Sequence, residues 1–156
     1  MSDKRIIDEV DYKILEILQE KARIPNVEVA RQVGMAPSAV LERIRKLEER
    51  GIIDGYEVRL NPQAFSLGLL AFVQVRVQGR LGADLAQQLA RVTGVQEVHL
   101  IAGDDGYLLR LRVADHAELG QILTSEINAL DGVLQTKTSV VLETIKDTEK
   151  LDLERF

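Results

Sequence analysis

Cysteine is absent from the 156-residue chain. It therefore carries no disulfide framework, no thiolate metal site and no cysteine nucleophile. Trp is absent as well and aromatics reach only 4%, which leaves the core to aliphatic packing. The two His residues, His99 and His116, have no second ligand at metal spacing. Each reads as a surface or packing residue. No apolar run approaches the ~18 residues of a membrane span. Met1-Ser2-Asp3-Lys4-Arg5 leads into no apolar signal core. A phosphate-binding P-loop and a GxSxG nucleophile elbow are both missing. The adjacent Asp104 and Asp105 do not by themselves make an acid/base pair. These absences predict a soluble, cytoplasmic protein that is no enzyme and needs neither cofactor nor metal.

Charge is unevenly spread. The net charge is −5. Residues 1–60 carry 11 Lys/Arg and 12 Asp/Glu, whereas residues 61–156 carry 9 and 13. The near-neutral first part is free to present a local basic face, which is all that a phosphate backbone requires.

The first part has helical rhythm. Ile7, Val10, Ile14, Ile17 and Leu18 recur mostly at spacings of three and four. Asp8 is the expected N-cap, with Asp11 adding negative charge to the first turn. After Ile24-Pro25, Asn26 is expected to cap a short helix carrying Val29, Ala30 and Val33. Gly34 ends it. Pro37 suits the first position of a third helix, which runs to about Arg50. Three helices with only Gly34-Met35-Ala36 between the last two spell helix-turn-helix. Ile52–Leu60 reads as an extended piece with an Asp54-Gly55 turn signal. The predicted domains are residues 1–60 and 69–156, joined by a linker at 61–68.

The second part alternates strand and helix. Leu69–Val77, Val95–Ala102, Tyr107–Val113 and Val133–Ile145 read as strands. Leu81, Leu85, Leu89 and Val92 form one helical stripe, and Leu119, Ile122, Leu123, Ile127 and Leu130 form another. Asp115 and Glu118 make a capping box for the second. The order βαββαβ is that of the ferredoxin-like fold, so the whole chain is predicted to be α+β.

The third helix carries the first candidate site. Val40, Ile44 and Leu47 fall on one side of it. Ser38, Glu42, Arg45 and Glu49 fall nearly opposite, with Ala39 and Lys46 beside them and Arg43 on the flank. A recognition helix reads bases with its N-terminal residues and touches phosphates along its flanks. Ser38, Ala39 and Glu42 are therefore candidates for base contact with double-stranded DNA, and Pro37 opens the same DNA-binding helix. Arg43, Arg45 and Lys46 are candidates for phosphate contact. A solvated charged face, with Glu42, Glu48 and Glu49 pairing the cations, fits the same charge pattern.

The turn Gly103-Asp104-Asp105-Gly106-Tyr107 is the second candidate. Glycines permit a backbone whose N–H groups hold a carboxylate, and Asp104 or Asp105 can hold an ammonium. An α-amino acid needs both. A plain hairpin turn uses the same residues.

Residues 8–60 resemble the winged helix-turn-helix of the Lrp/AsnC (feast/famine) family of transcriptional regulators. The resemblance is carried by Asp8-Glu9-Val10-Asp11-Tyr12-Lys13-Ile14-Leu15 and by Val29-Ala30-Arg31-Gln32-Val33-Gly34-Met35-Ala36-Pro37-Ser38. Arg43-Ile44-Arg45-Lys46-Leu47-Glu48-Glu49-Arg50-Gly51-Ile52-Ile53 and Gly55-Tyr56 complete it. The second part resembles that family's amino-acid-sensing domain, so the likeness runs from about residue 7 to 150. It implies a DNA-binding regulator, a small-molecule effector of amino-acid type bound between subunits, and homodimers that assemble further, often to octamers. Thr136 and Thr138 resemble the family's polar positions near the effector pocket. They are equally ordinary as β-branched strand residues. Two departures stand out. Ala36 replaces the family's usual N-cap Ser, and Gly106 stands where the family carries Asp. A second reading keeps ligand binding or assembly as the working function, with vestigial DNA contacts.

Overall fold

The computed structural model describes residues 7–79, 83–103 and 106–155. Leu81, Asp104 and Asp105 lie outside them. The chain divides into two compact units, Met1–Arg59 with Thr148–Phe156, and Leu60–Asp147.

The first unit holds α1 (Glu9–Glu20), α2 (Asn26–Val33) and α3 (Pro37–Glu49). Asp8 caps α1 as its sequence implies. Its side chain accepts from the Asp11 N–H at 2.8 Å, and the Asp11 carboxylate accepts from the Asp8 N–H at 3.3 Å. This reciprocal pair satisfies two of the donors that a helix start leaves open. Asn26 does not cap α2. It is the first helical residue, and Pro25 takes the cap position without a side-chain bond. Gly34 ends α2 in the left-handed region at φ 70°, where a Cβ would be strained. Ile14, Val29, Ala30, Val40 and Ile44 close the core from all three helices. The extended piece expected over 52–60 joins no strand ladder among the described residues.

The second unit is a four-stranded antiparallel sheet in the order β2-β3-β1-β4, formed by β1 (Leu69–Val77), β2 (Val95–Ile101), β3 (Gly106–Val113) and β4 (Val133–Val140). Two helices, α4 (Ala83–Ala90) and α5 (His116–Ile122), complete the ferredoxin-like βαββαβ order. Asp115 caps α5 through the Glu118 N–H at 2.8 Å. Helical structure continues past α5 as a π segment, Leu123–Ile127. Ala71, Val73 and Val75 of β1 meet Leu109 and Leu111 of β3 in the core, with Leu89, Leu119, Ile122 and Ile127 above them.

Three boundaries differ from the sequence reading by more than one residue. β4 ends at Val140 rather than Ile145, because its partner β1 starts at Leu69. Val140 pairs with Ala71 and the Val141 N–H reaches the Leu70 carbonyl, so only Leu69 and Leu70 of β1 lie beyond the last pair, too few to carry a strand to Ile145. The linker at 61–68 is ordered within the second unit. Asn61 caps a 3₁₀ turn at Pro62–Phe65, and the Leu67 carbonyl accepts from Arg112 at 3.3 Å. The C-terminal segment from Thr148 groups with the helical unit and not with the sheet.

Candidate functional site

The helix α3 sorts its residues as a recognition helix must. Val40, Ile44 and Leu47 are buried, at 0%, 6% and 1% exposure. Pro37, Ser38, Arg45, Lys46 and Glu49 are exposed, and Ala39 and Glu42 are half-buried. Ala36 supplies the N-cap without a side-chain bond. The first turn is less open than the missing Ser side chain implies. Pro37 has no N–H, and Ala39 donates to the Ala36 carbonyl at 3.0 Å. Ser38 therefore brings the N–H and hydroxyl that this turn has to offer an acceptor.

The cations on this face are engaged with α3's own carboxylates. The Arg45 guanidinium meets Glu42 at 3.1 Å and Glu49 at 3.4 Å, and the Lys46 ammonium meets Glu42 at 3.6 Å. Arg45, and to a lesser degree Lys46, hold the Glu42 carboxyl below its ordinary range. All of these groups are open to solvent, where such pairs are weak. A phosphate oxygen can take either cation at little cost. Tyr56 anchors the chain that leaves α3 by donating to Glu48 at 2.8 Å. Burial and the Glu48 carboxylate push the Tyr56 hydroxyl up to about 12, so it stays a donor.

Arg43 is the exception among the expected phosphate contacts. Its Nη1 donates to Asp8 at 2.7 Å and to Asp11 at 2.8 Å. Asp11 is only 7% exposed, and the Arg43 side chain itself is 30% exposed. Arg43 thus ties α3 to the capped start of α1 through Nη1, which leaves it less free for a phosphate than Arg45 and Lys46 are. The signal was present in the sequence as Asp8 and Asp11, but their reach to residue 43 depends on how the helices cross. Arg43→Ala leaves a nearly buried carboxylate without its cation. Discounted for partial exposure, this costs about 2 kcal/mol. Circular dichroism should record a melting temperature about 10 °C lower for the helical unit. An unchanged melting temperature with a shallower salt dependence of DNA binding would restore the phosphate role. The tie also sets a pH response. The backbone N–H of Asp11 first, and then Arg43, lower the Asp8 pKa. Its stabilisation is therefore complete above the unfolded value of about 4 and is lost as pH falls through the folded one.

The second candidate site lies where three strands present one row. Val75 pairs with Tyr107 on one side and with Thr136 on the other. The next row places Val73 between Leu109 and Thr138. Directly paired residues share a face, so Tyr107, Thr136 and Thr138 all lie on the helix-bearing side. Tyr107 is buried at 5% exposure, and the two threonines are half-buried. Thr136 Oγ1 donates to the Asn128 side chain at 3.2 Å. Gly103, at φ 115°, is exposed and has open space around it. Gly106 is the reverse. A Cβ there would lie 1.8 Å from the Val75 carbonyl oxygen. Any side chain here, including the Asp that the resemblance implies, would therefore require the β1 or β3 backbone to shift. Among the described residues no group of acidic and His side chains could hold a metal ion, and no helix is long and apolar enough to cross a membrane.

A helix-turn-helix with an outward polar third helix, followed by a ferredoxin-like sheet, defines a DNA-binding module joined to a second domain. Residues 7–54 match the winged helix-turn-helix DNA-binding model, and residues 70–151 match the Lrp/AsnC ligand binding domain. Leucine-responsive regulatory protein of Haemophilus influenzae is 38% identical over 152 residues, covering 96% of this chain and 92% of its own. A transcriptional regulator of Neisseria meningitidis, solved as its L-methionine complex, has a TM-score of 0.88 at 32% identity over 96% of this chain and 98% of its own. A feast or famine regulatory protein of Mycobacterium tuberculosis, also solved with L-methionine, has a TM-score of 0.83 at 28% identity, covering 92% and 97%. The chain belongs to the Lrp/AsnC family and is a DNA-binding transcriptional regulator with a ligand-binding domain.

Proposed function

We propose that α3 reads base edges through Ser38, Ala39 and Glu42 and grips phosphates through Arg45 and Lys46. The observation that carries this reading is the division of α3 itself. An apolar stripe is fully committed to the core, while the opposite face holds only weakly paired charge. Two copies of the chain supply two such helices, about 34 Å apart for successive major grooves on a pseudo-palindromic site. Pairing of copies is supported by Tyr56 and Val58, which lie along an unladdered stretch at 50% and 81% exposure. Apolar groups left open at this density mark an association surface. A regulator working on chromosomal DNA acts in the cytoplasm, by binding rather than by turnover.

The effector of this reading is an uncharged L-amino acid. Two related structures hold L-methionine, and the curated relatives are named for leucine. Tyr107, Thr136 and Thr138 form the wall of the site, and Gly103 contributes open backbone for the carboxylate. With Gly106 bare, the ammonium falls to Asp104 or Asp105, and a second copy completes the pocket. Calorimetric titration of the full chain with L-methionine and with L-leucine tests this. One of them should bind. Thr138→Val, which keeps shape and removes the hydroxyl, should weaken that binding about fivefold. No heat with either amino acid overturns the effector reading, and an unchanged affinity in Thr138→Val removes that residue from it.

A further inference from the structure

The C-terminal segment is tied to α1 by a contact that neither DNA reading nor effector sensing uses. The Gln19 side-chain amide makes both bonds of a peptide pair with Leu151. Its Oε1 accepts from the Leu151 N–H at 2.7 Å, and its Nε2 donates to the Leu151 carbonyl at 3.1 Å. One residue earlier, Lys150 Nζ meets Glu20 at 2.8 Å. Leu151 and Leu153 line a groove of about 510 Å³ together with Tyr12, Leu15 and Leu18 of α1 and with Ile52. A side-chain amide has the donor and acceptor spacing of a backbone peptide, so it can hold an extended strand as a sheet edge would. The ion pair is exposed and adds little by itself. The two-point amide bond, with Leu153 half-buried beside it, is what selects this segment.

We propose that this face of α1 is a docking site for the chain's own segment Thr148–Arg155, whose last three residues form a 3₁₀ turn, and that the docked segment is a second tether on the DNA-binding unit. The chain passes between its two units twice, at Arg59–Leu60 and at Asp147–Thr148. A DNA-binding unit held by one connection samples many positions. Held by two, it samples fewer, and the second of two linked recognition helices meets its half-site at a higher effective concentration. The docking stands on geometry alone. Its consequence for DNA rests on the DNA-binding reading above.

Two experiments separate these layers. Because the chain has no native Cys, Glu20→Cys with Lys150→Cys in the full-length protein places a unique thiol pair across the contact. A short bis-maleimide should join them within one chain, leaving a product of monomer mass on a denaturing gel. A covalent dimer would show that the segment comes from a second copy, and no cross-link would overturn the docking. Hydrogen exchange gives the same answer without cross-linking. The Leu151 amide should be protected in the wild type and should lose that protection in Gln19→Ala, which keeps a good helix former in α1. Equal protection in both would contradict the assignment. For the tether, Gln19→Ala should lose about tenfold in affinity for a duplex bearing two half-sites while keeping its affinity for a single half-site. Loss on both duplexes alike, or on neither, would overturn the tether while leaving the docking to be judged by the first two readouts.

Discussion

Restoring the family's aspartate, Gly106→Asp, is expected to destabilise the sheet unit rather than to strengthen amino-acid binding. Gly106 begins β3, a central strand, and pairs with Arg76 of β1 on one side and Ile101 of β2 on the other. Any Cβ at this position would lie 1.8 Å from the Val75 oxygen and 2.9 Å from the Val75 carbonyl carbon. Both are backbone atoms of a strand paired on both edges, so they cannot yield as the end of a flexible side chain would. Moving either strand breaks ladder bonds, for an expected loss of about 3 kcal/mol or more. Gly106→Ala tests the cause, since it adds the clash without the charge. Thermal unfolding should find both variants similarly damaged. A Gly106→Asp protein that melts like the wild type and binds L-methionine or L-leucine more tightly would contradict this picture.

Most of the fold was legible because local chemistry and tertiary packing agree. The spacing of Val40, Ile44 and Leu47 named the buried face of α3, and all three are buried. Asp8 and Asp115 were readable as caps, and both accept the expected N–H. The misplaced boundaries have a common cause. Val141–Ile145 looks like a strand by composition, but a strand also needs a partner, and β1 offers only Leu69 and Leu70 beyond its last pair with β4. Lys146–Phe156 reads as a charged tail, yet Leu151 docks because Gln19 lies 132 residues away in sequence and near in space. Neither fact has a local signature.

The candidate sites were legible to different depths. The outward face of α3 follows from periodicity, but the role of Arg43 does not. Whether an arginine faces solvent or a pair of capping aspartates is decided by the crossing of α1 and α3. Thr136 and Thr138 could be placed on a strand, whereas their alignment with Tyr107 through Val75 and Val73 appears only once the strand order is known. The departure at Gly106 was visible in sequence, and its reason, the close approach of the Val75 carbonyl, was not.

The other large effect is expected at Arg45 and Lys46. Both are exposed and both face away from the core, so replacing them with Ala should leave the helical unit folded. Only exposed pairs with Glu42 and Glu49 are lost, which changes stability by less than about 1 kcal/mol. Binding to DNA should respond far more strongly. Each cation that meets a phosphate releases counterion, so the slope of log affinity against log salt should fall by about 2 in the double variant. Affinity near physiological salt should drop by about 30-fold or more. The test is a salt titration of the wild type and of Arg45→Ala/Lys46→Ala on a duplex selected by the wild-type protein from random sequence. The expected result is a pseudo-palindromic duplex, a steep wild-type slope, and a double variant that melts normally but binds weakly with the shallower slope. Equal slopes and equal affinities for the two proteins, or no sequence enriched by the wild type, would contradict the assignment of α3 as the DNA-reading helix.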